Sequence, residues 1–153
     1  MDIQDDVLST ADLLLGLNEE EAAALISLGK RRTYRKGDQI MKAGERGREL
    51  CIVLRGQVEV LEETASGEST LVILGAGQSV GEMAILDAGP RSATVRCVTE
   101  EATLLCIPGD ALLDFCGRTC SVGYRLMYNL ARDLAFKLRH RNLPRTARAE
   151  VSP

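Results

Sequence analysis

The feature that most restricts this chain is a series of short apolar stretches between Arg32 and Ile107, each cut off by a turn within a few residues. The stretches are Thr33 to Arg35, Gln39 to Lys42, Leu50 to Leu54, Gln57 to Leu61, Thr70 to Leu74, a short one at Ser79, Ala93 to Val98, and Thr103 to Ile107. They are too short for helices and read as strands. Between them stand Gly37-Asp38, Gly44-Glu45-Arg46-Gly47, Arg55-Gly56, Ser66-Gly67 and Gly75-Ala76-Gly77, which reverse a chain at low steric cost. About eight short strands so spaced predict a sandwich or jelly roll. Gln57-Val58-Glu59-Val60 alternates, one face in and one out, whereas Leu50-Cys51-Ile52-Val53-Leu54 does not and is expected to be covered on both faces.

Helices flank the strands. Thr10 to Leu15 reads as one turn, and Asn18 with Glu21 three residues on forms a capping box opening a helix that Gly29 stops. After the last strand, Asp110 is the expected N-cap of a short helix from Ala111 to Phe115. A longer helix follows from about Ser121 to His140, stopped by Pro144. Leu126, Leu130, Leu134 and Leu138 make one apolar stripe, and Tyr124, Tyr128 and Ala135 a second beside it, so this helix should touch more than one thing. The expected architecture is mainly β with flanking helices in one domain over residues 1–143: a helical N-terminus (1–31), an eight-stranded β-roll (32–108) and C-terminal helices (109–143). Residues 144–153 are expected to be a short flexible tail.

Composition excludes several functions. A net charge of −3 argues against nucleic acid or an anionic membrane as a whole-surface partner. No stretch approaches the ~18 apolar residues of a membrane span. The acidic start, Met1 to Asp6, lacks the marks of a signal peptide, so a cytoplasmic location is expected. Cys51, Cys97, Cys106, Cys116 and Cys120 show no C-x-x-C spacing and accompany a single histidine, His140, so no metal site is expected. Cys51, Cys97 and Cys106 read as small core hydrophobes. The eleven residues after Asn142 are too few for a helix-turn-helix, and no phosphate-binding lysine loop or paired metal-binding carboxylates appear, so no enzyme is expected.

One segment carries chemistry: Val80-Gly81-Glu82-Met83-Ala84-Ile85-Leu86-Asp87-Ala88-Gly89-Pro90-Arg91-Ser92-Ala93-Thr94-Val95. It reads as a strand end, a glycine turn, one helical turn, a Gly-Pro loop and a new strand. Gly81 lets the backbone approach a ligand, the turn leaves the amides of Met83 and Ala84 unpaired, and Arg91 adds a permanently charged fork. Ser92 offers a hydroxyl. These groups suit a singly charged phosphodiester, and Glu82 suits a neighbouring hydroxyl such as a ribose 2′-OH. Taken separately, Glu82 and Arg91 would more often form a surface ion pair, and Gly81 a plain turn.

The segment Gly81-Glu82-Met83-Ala84-Ile85-Leu86, four residues, then Arg91-Ser92-Ala93-Thr94-Val95 resembles the phosphate-binding cassette of the cyclic nucleotide-binding domain family, and the likeness extends over roughly residues 10–140. The resemblance implies that Glu82 holds the ribose 2′-OH, Arg91 and Ser92 the cyclic phosphate, and the amides of Met83 and Ala84 its oxygens, with Gly81 shaping the turn. Val80 stands where the family often has an aromatic residue. The family gives the last helix three possible jobs: packing on the roll, covering the base, and pairing with its twin. Arg139, ahead of Lys137, reads either as a base contact from that helix or as a cation complementing its C-terminus, and Phe136 either stacks on the base or packs; Arg139 is taken as the candidate base contact. The resulting expectation is a cyclic nucleotide sensor, with cyclic AMP ahead of cyclic GMP through the likeness of Arg91-Ser92-Ala93 to bacterial regulators. It would signal through its C-terminal helix to an effector protein and form a homodimer through that helix. The competing expectation is a degenerate roll that binds no nucleotide and serves as a dimerisation scaffold.

Overall fold

The computed structural model describes Val7, Leu8 and residues 10–140 in full, and the backbone of residues 141–151. All eight expected strands form: β1 (Lys30–Arg35), β2 (Gln39–Met41), β3 (Glu49–Arg55), β4 (Val58–Thr64), β5 (Gly67–Leu74), β6 (Ser79–Val80), β7 (Thr94–Cys97) and β8 (Glu101–Pro108). They pair antiparallel into two four-stranded sheets, ordered β1-β8-β3-β6 and β2-β7-β4-β5. A 3-10 turn at Asp12–Leu14 and helix α1 (Glu19–Ile26) precede the roll; α2 (Glu82–Asp87) lies between β6 and β7; α3 (Gly109–Arg118) and α4 (Cys120–Val151) follow it.

Two apolar cores share one sheet. Inside the roll, Cys51 and Val53 of β3 and Leu104 and Cys106 of β8 pack with Val58, Leu74 and Val95 of the facing sheet. On the outer face of the first sheet, Leu50, Ile52 and Leu54 of β3 and Leu105 and Ile107 of β8 pack under Leu13, Leu14, Leu25, Leu112, Leu126 and Leu130. This is why Leu50 to Leu54 does not alternate: β3 is buried on both faces. Asn18 caps α1 as its sequence implies, accepting from the Glu21 amide while the Glu21 carboxylate accepts from the Asn18 amide.

Helix α4 is held to the N-terminal turn by a residue the sequence did not single out. Asn129, buried on α4, donates to the carbonyls of Leu13 at 2.7 Å and Leu15 at 2.9 Å. Those carbonyls end a 3-10 turn that leaves them without internal partners, and the amide satisfies both.

Two helix boundaries differ from expectation. Asp110 is not an N-cap: α3 begins two residues earlier than expected, at Gly109 after Pro108, and the Gly109 amide bonds the Arg48 carbonyl. Asp110 then sits in the first turn and pairs with Arg48 at 3.1 Å. Helix α4 also does not stop at Pro144 but continues to Val151, so helix occupies most of the expected tail. Proline removes one donor, and the surrounding Arg145, Ala147, Arg148, Ala149 and Glu150 are helix formers, so the loss stays local. The side chains of Arg141, Arg145 and Arg148, and residues 1–6, lie outside the described residues.

Candidate functional site

The cassette is built by backbone constraints at its two ends. At its start Gly81 holds φ +90° and ψ 7°, and a β-carbon there would fall 2.5 Å from the Glu49 carbonyl oxygen. Only glycine fits both the left-handed conformation and the approach of β3. Helix α2 begins directly after it, and among the described residues no group is bonded to the amides of Met83 and Ala84. At the far end the main chain of Arg91 is pinned to the Gly44 to Gly47 turn: its N–H donates to Glu45 O and its carbonyl accepts from Gly44 N–H, both at 2.9 Å. The guanidinium lies over Gly47, where a β-carbon would meet Nε at 2.6 Å, and Nη1 reaches Gly81 O at 3.4 Å. Among the described residues no carboxylate pairs with Arg91. A turn that reads in sequence as a plain connection is thus the bed of the cationic side chain.

These parts open on a cavity of about 290 Å³. Met41, Val60, Val72 and Val95 form its roll side, and Leu134, Phe136 and Lys137 of α4 close it opposite. Gly81, Glu82, Met83, Ala84, Arg91 and Ser92 all line it, so the expected cassette residues are brought together. Val80 lines it too, buried, where the family often has an aromatic side chain. Ser92 Oγ is exposed toward the cavity and contacts Met83 Sδ at 3.5 Å.

Arg139 is not brought to the cavity. Successive helical residues turn by about 100°, so positions 137 and 139 project roughly 200° apart, and α4 aims Lys137 inward while Arg139 is exposed. The sequence left the helical phase open because α4 carries apolar residues on more than one strip. Phe136 lines the cavity and packs on the His140 ring at 3.9 Å between centroids, half exposed.

Lys137 makes the decisive contact. Its Nζ donates to Glu82 Oε1 at 2.5 Å and to the Ser79 carbonyl at 2.7 Å, and stands 2.8 Å from Asp133 Oδ2. Glu82 does not pair with Arg91. Its side chain is buried, and among the described residues its second oxygen, Oε2, has no hydrogen-bond partner. Burial pushes the Glu82 carboxyl up, against the pull of Lys137 and with the help of Asp133. For Lys137 burial works toward the neutral form, but Glu82 and Asp133 together outweigh it and hold the ammonium above the usual lysine value.

The comparisons bear on the same residues. The sequence profile described as "Cyclic nucleotide-binding domain" matches residues 31–119. The chain belongs to the cyclic nucleotide-binding domain family. This cyclic nucleotide-binding domain is 37% identical over 123 residues to the "Cyclic AMP receptor protein" of Thermus thermophilus, covering 80% of this chain and 56% of that protein. The crystal structure of the Thermus thermophilus catabolite activator protein superposes with a TM-score of 0.77 at 33% identity, covering 91% of this chain and 63% of that one. A third relative, "Glutaminase 2" of Bradyrhizobium diazoefficiens, is 35% identical over 138 residues, 90% of this chain but 21% of that protein. The domain therefore spans little more than half the length of the first relatives it matches. Among its described residues no helix is long and apolar enough to cross a membrane.

Proposed function

We propose that this domain is a cyclic nucleotide sensor, with cyclic AMP as its ligand ahead of cyclic GMP, that signals occupancy through α4. The observation that carries this reading is Glu82 Oε2, a buried carboxylate oxygen with no donor, lining the same cavity as an arginine with no carboxylate. A buried acceptor left open costs free energy that a ligand hydroxyl recovers. In this reading the ribose 2′-OH donates to Glu82 Oε2, while the cyclic phosphate accepts from Arg91, from Ser92 Oγ and from the amides of Met83 and Ala84. Gly81 keeps the backbone close enough for those contacts. The apolar wall of Met41, Val60 and Val72 takes the base, with Phe136 at its edge.

Signalling follows from Lys137. It ties α4 to the carboxylate that meets the ribose, so a ligand that changes the charge or position of Glu82 has differential affinity for the positions of α4. No step of turnover is involved, and cytoplasmic action on an effector, without direct nucleic-acid contact, completes the reading. Preference for cyclic AMP is supported by the Thermus relative's name and by Arg91-Ser92-Ala93. Matches to regulators and to a glutaminase support a module that serves different effectors. For a homodimer through α4, Leu126 and Leu130 are already buried against their own domain, and the free surface is Tyr124, 70% exposed, with Tyr128.

The test is a thermal melt with cyclic AMP, cyclic GMP and linear 5′-AMP. At a free concentration of a hundred times Kd, a native-state ligand adds about 2.7 kcal/mol, or roughly 5 to 10 °C here. The expected result is a shift with cyclic AMP that disappears in Arg91→Ala. Flat curves at millimolar nucleotide would overturn the sensor reading and leave a scaffold.

A further inference from the structure

Behind the cassette lies a second cluster that the nucleotide reading does not use. Cys51 of β3 and Cys106 of β8 are directly opposed in the antiparallel register, and both are buried. Glu49, at the start of β3, joins them: one carboxylate oxygen and the two sulfurs all lie within 4.8 Å of one another. None of the three lines the nucleotide cavity.

We propose that Glu49, Cys51 and Cys106 form a binding site for a thiophilic divalent cation of the zinc(II) class. Two thiolates and a carboxylate are three of the four ligands such an ion takes, leaving one position open. The strands themselves hold the sulfurs in place, because both cysteines are buried in the roll and project from paired positions. The carboxylate has an outer partner. Arg32 grips it with two hydrogen bonds, Nη1 to Oε2 at 2.8 Å and Nη2 to Oε1 at 3.0 Å, and each oxygen keeps a lone pair for a metal. The cluster also reaches solvent through its carboxylate: the Glu49 side chain, with an oxygen within 4.8 Å of both buried sulfurs, is 33% exposed.

Charge balance favours occupancy. Binding displaces one proton from each thiol to solvent as a doubly charged ion enters, so the net charge of the buried cluster does not change. No uncompensated charge is created in the roll interior. Arg32 and Arg91, the cations that act electrostatically on these thiols, therefore see the same total charge before and after loading.

Cobalt(II), which replaces zinc(II) and absorbs visibly when bound by thiolate, gives a direct test on the reduced full chain. The background carries Cys116→Ser and Cys120→Ser, since those thiols are less buried and four residues apart. The expected result is a thiolate-to-cobalt band saturating at one equivalent and erased by zinc(II). It should be absent in the added Cys51→Ala/Cys106→Ala variant and need at least tenfold more cobalt in Glu49→Gln, which keeps the side chain's size and one acceptor for Arg32. No band up to a hundred micromolar cobalt, or an undiminished band without Cys51 and Cys106, would overturn the site. Unchanged affinity in Glu49→Gln would overturn the carboxylate as its third ligand.

Discussion

Replacing Lys137 by methionine keeps most of the side chain's length and removes the ammonium that bonds Glu82 Oε1. Glu82 would then have neither oxygen satisfied, since Oε2 already lacks a partner, and Asp133 would lose its counter-charge as well. Breaking a buried ion pair from one side costs about 3–5 kcal/mol. Here the Lys137 and Glu82 side chains are 22% and 6% exposed, so solvent screens part of the loss and about 2–4 kcal/mol is expected at pH 8. For a domain of this size that is a fall in Tm of roughly 5–15 °C. The loss should depend on pH in a definite sense. Burial already holds the Glu82 carboxyl above its ordinary value, and without Lys137 it rises further. A group whose folded pKa exceeds its unfolded value favours the folded state below the unfolded pKa and loses that contribution as pH rises through the folded one. The deficit of the variant should therefore shrink between pH 8 and pH 5, and adding Glu82→Gln should recover most of it at pH 8. In the wild type the raised Lys137 pKa makes the matching statement: its contribution is intact below about 10.4 and lost as pH rises beyond the folded value. Thermal melts at the two pH values decide the matter. A deficit under about 1 kcal/mol that is equal at pH 5 and pH 8 would refute the argument, because it would mean the pair is screened like any exposed one.

Other expectations rest on separate contacts. Gly81→Ala must place a β-carbon at φ +90° and 2.5 Å from Glu49 O, so a loss of about 2–4 kcal/mol in chemical denaturation is expected, together with loss of the nucleotide-induced melt shift. Asn129→Ala leaves the carbonyls of Leu13 and Leu15 without their donor in the interior; a cost of about 2–3 kcal/mol, read by urea titration, is expected. Asn18→Ala removes half of the capping box and should cost about 1 kcal/mol, with no effect on nucleotide affinity measured by calorimetry.

The strands, their turns and the cassette were legible because each rests on rules that act within a few residues. Gly81 shows why: a glycine between an apolar strand end and a helical turn marks a left-handed residue whether or not its neighbours in space are known. The arginine ten residues later was legible for the same reason, since the intervening loop returns the chain to its own start. Lys137 was not. It lies 55 residues from Glu82, and the choice between it and Arg139 turns on a helical phase that apolar residues on several faces leave undecided. Asn129 gave no signal, because a mid-helix asparagine reads as a weak helix former until the two carbonyls it serves are placed beside it. Pro144 misled, since its local cost did not outweigh the propensity of its neighbours.

What the sequence determined by itself is therefore the set of elements and the chemical kind of the pocket: a glycine-punctuated roll, a short turn offering free amides, an arginine, a hydroxyl and a carboxylate at a spacing local backbone rules preserve. Only the tertiary structure decided which side chains answer one another. Lys137 on Glu82, Gly47 beneath Arg91 and Cys51 against Cys106 are each set by packing between segments remote in the chain. Such pairings depend on strand register and helix phase, and a shift of one residue in either would exchange the partners while leaving every local pattern intact.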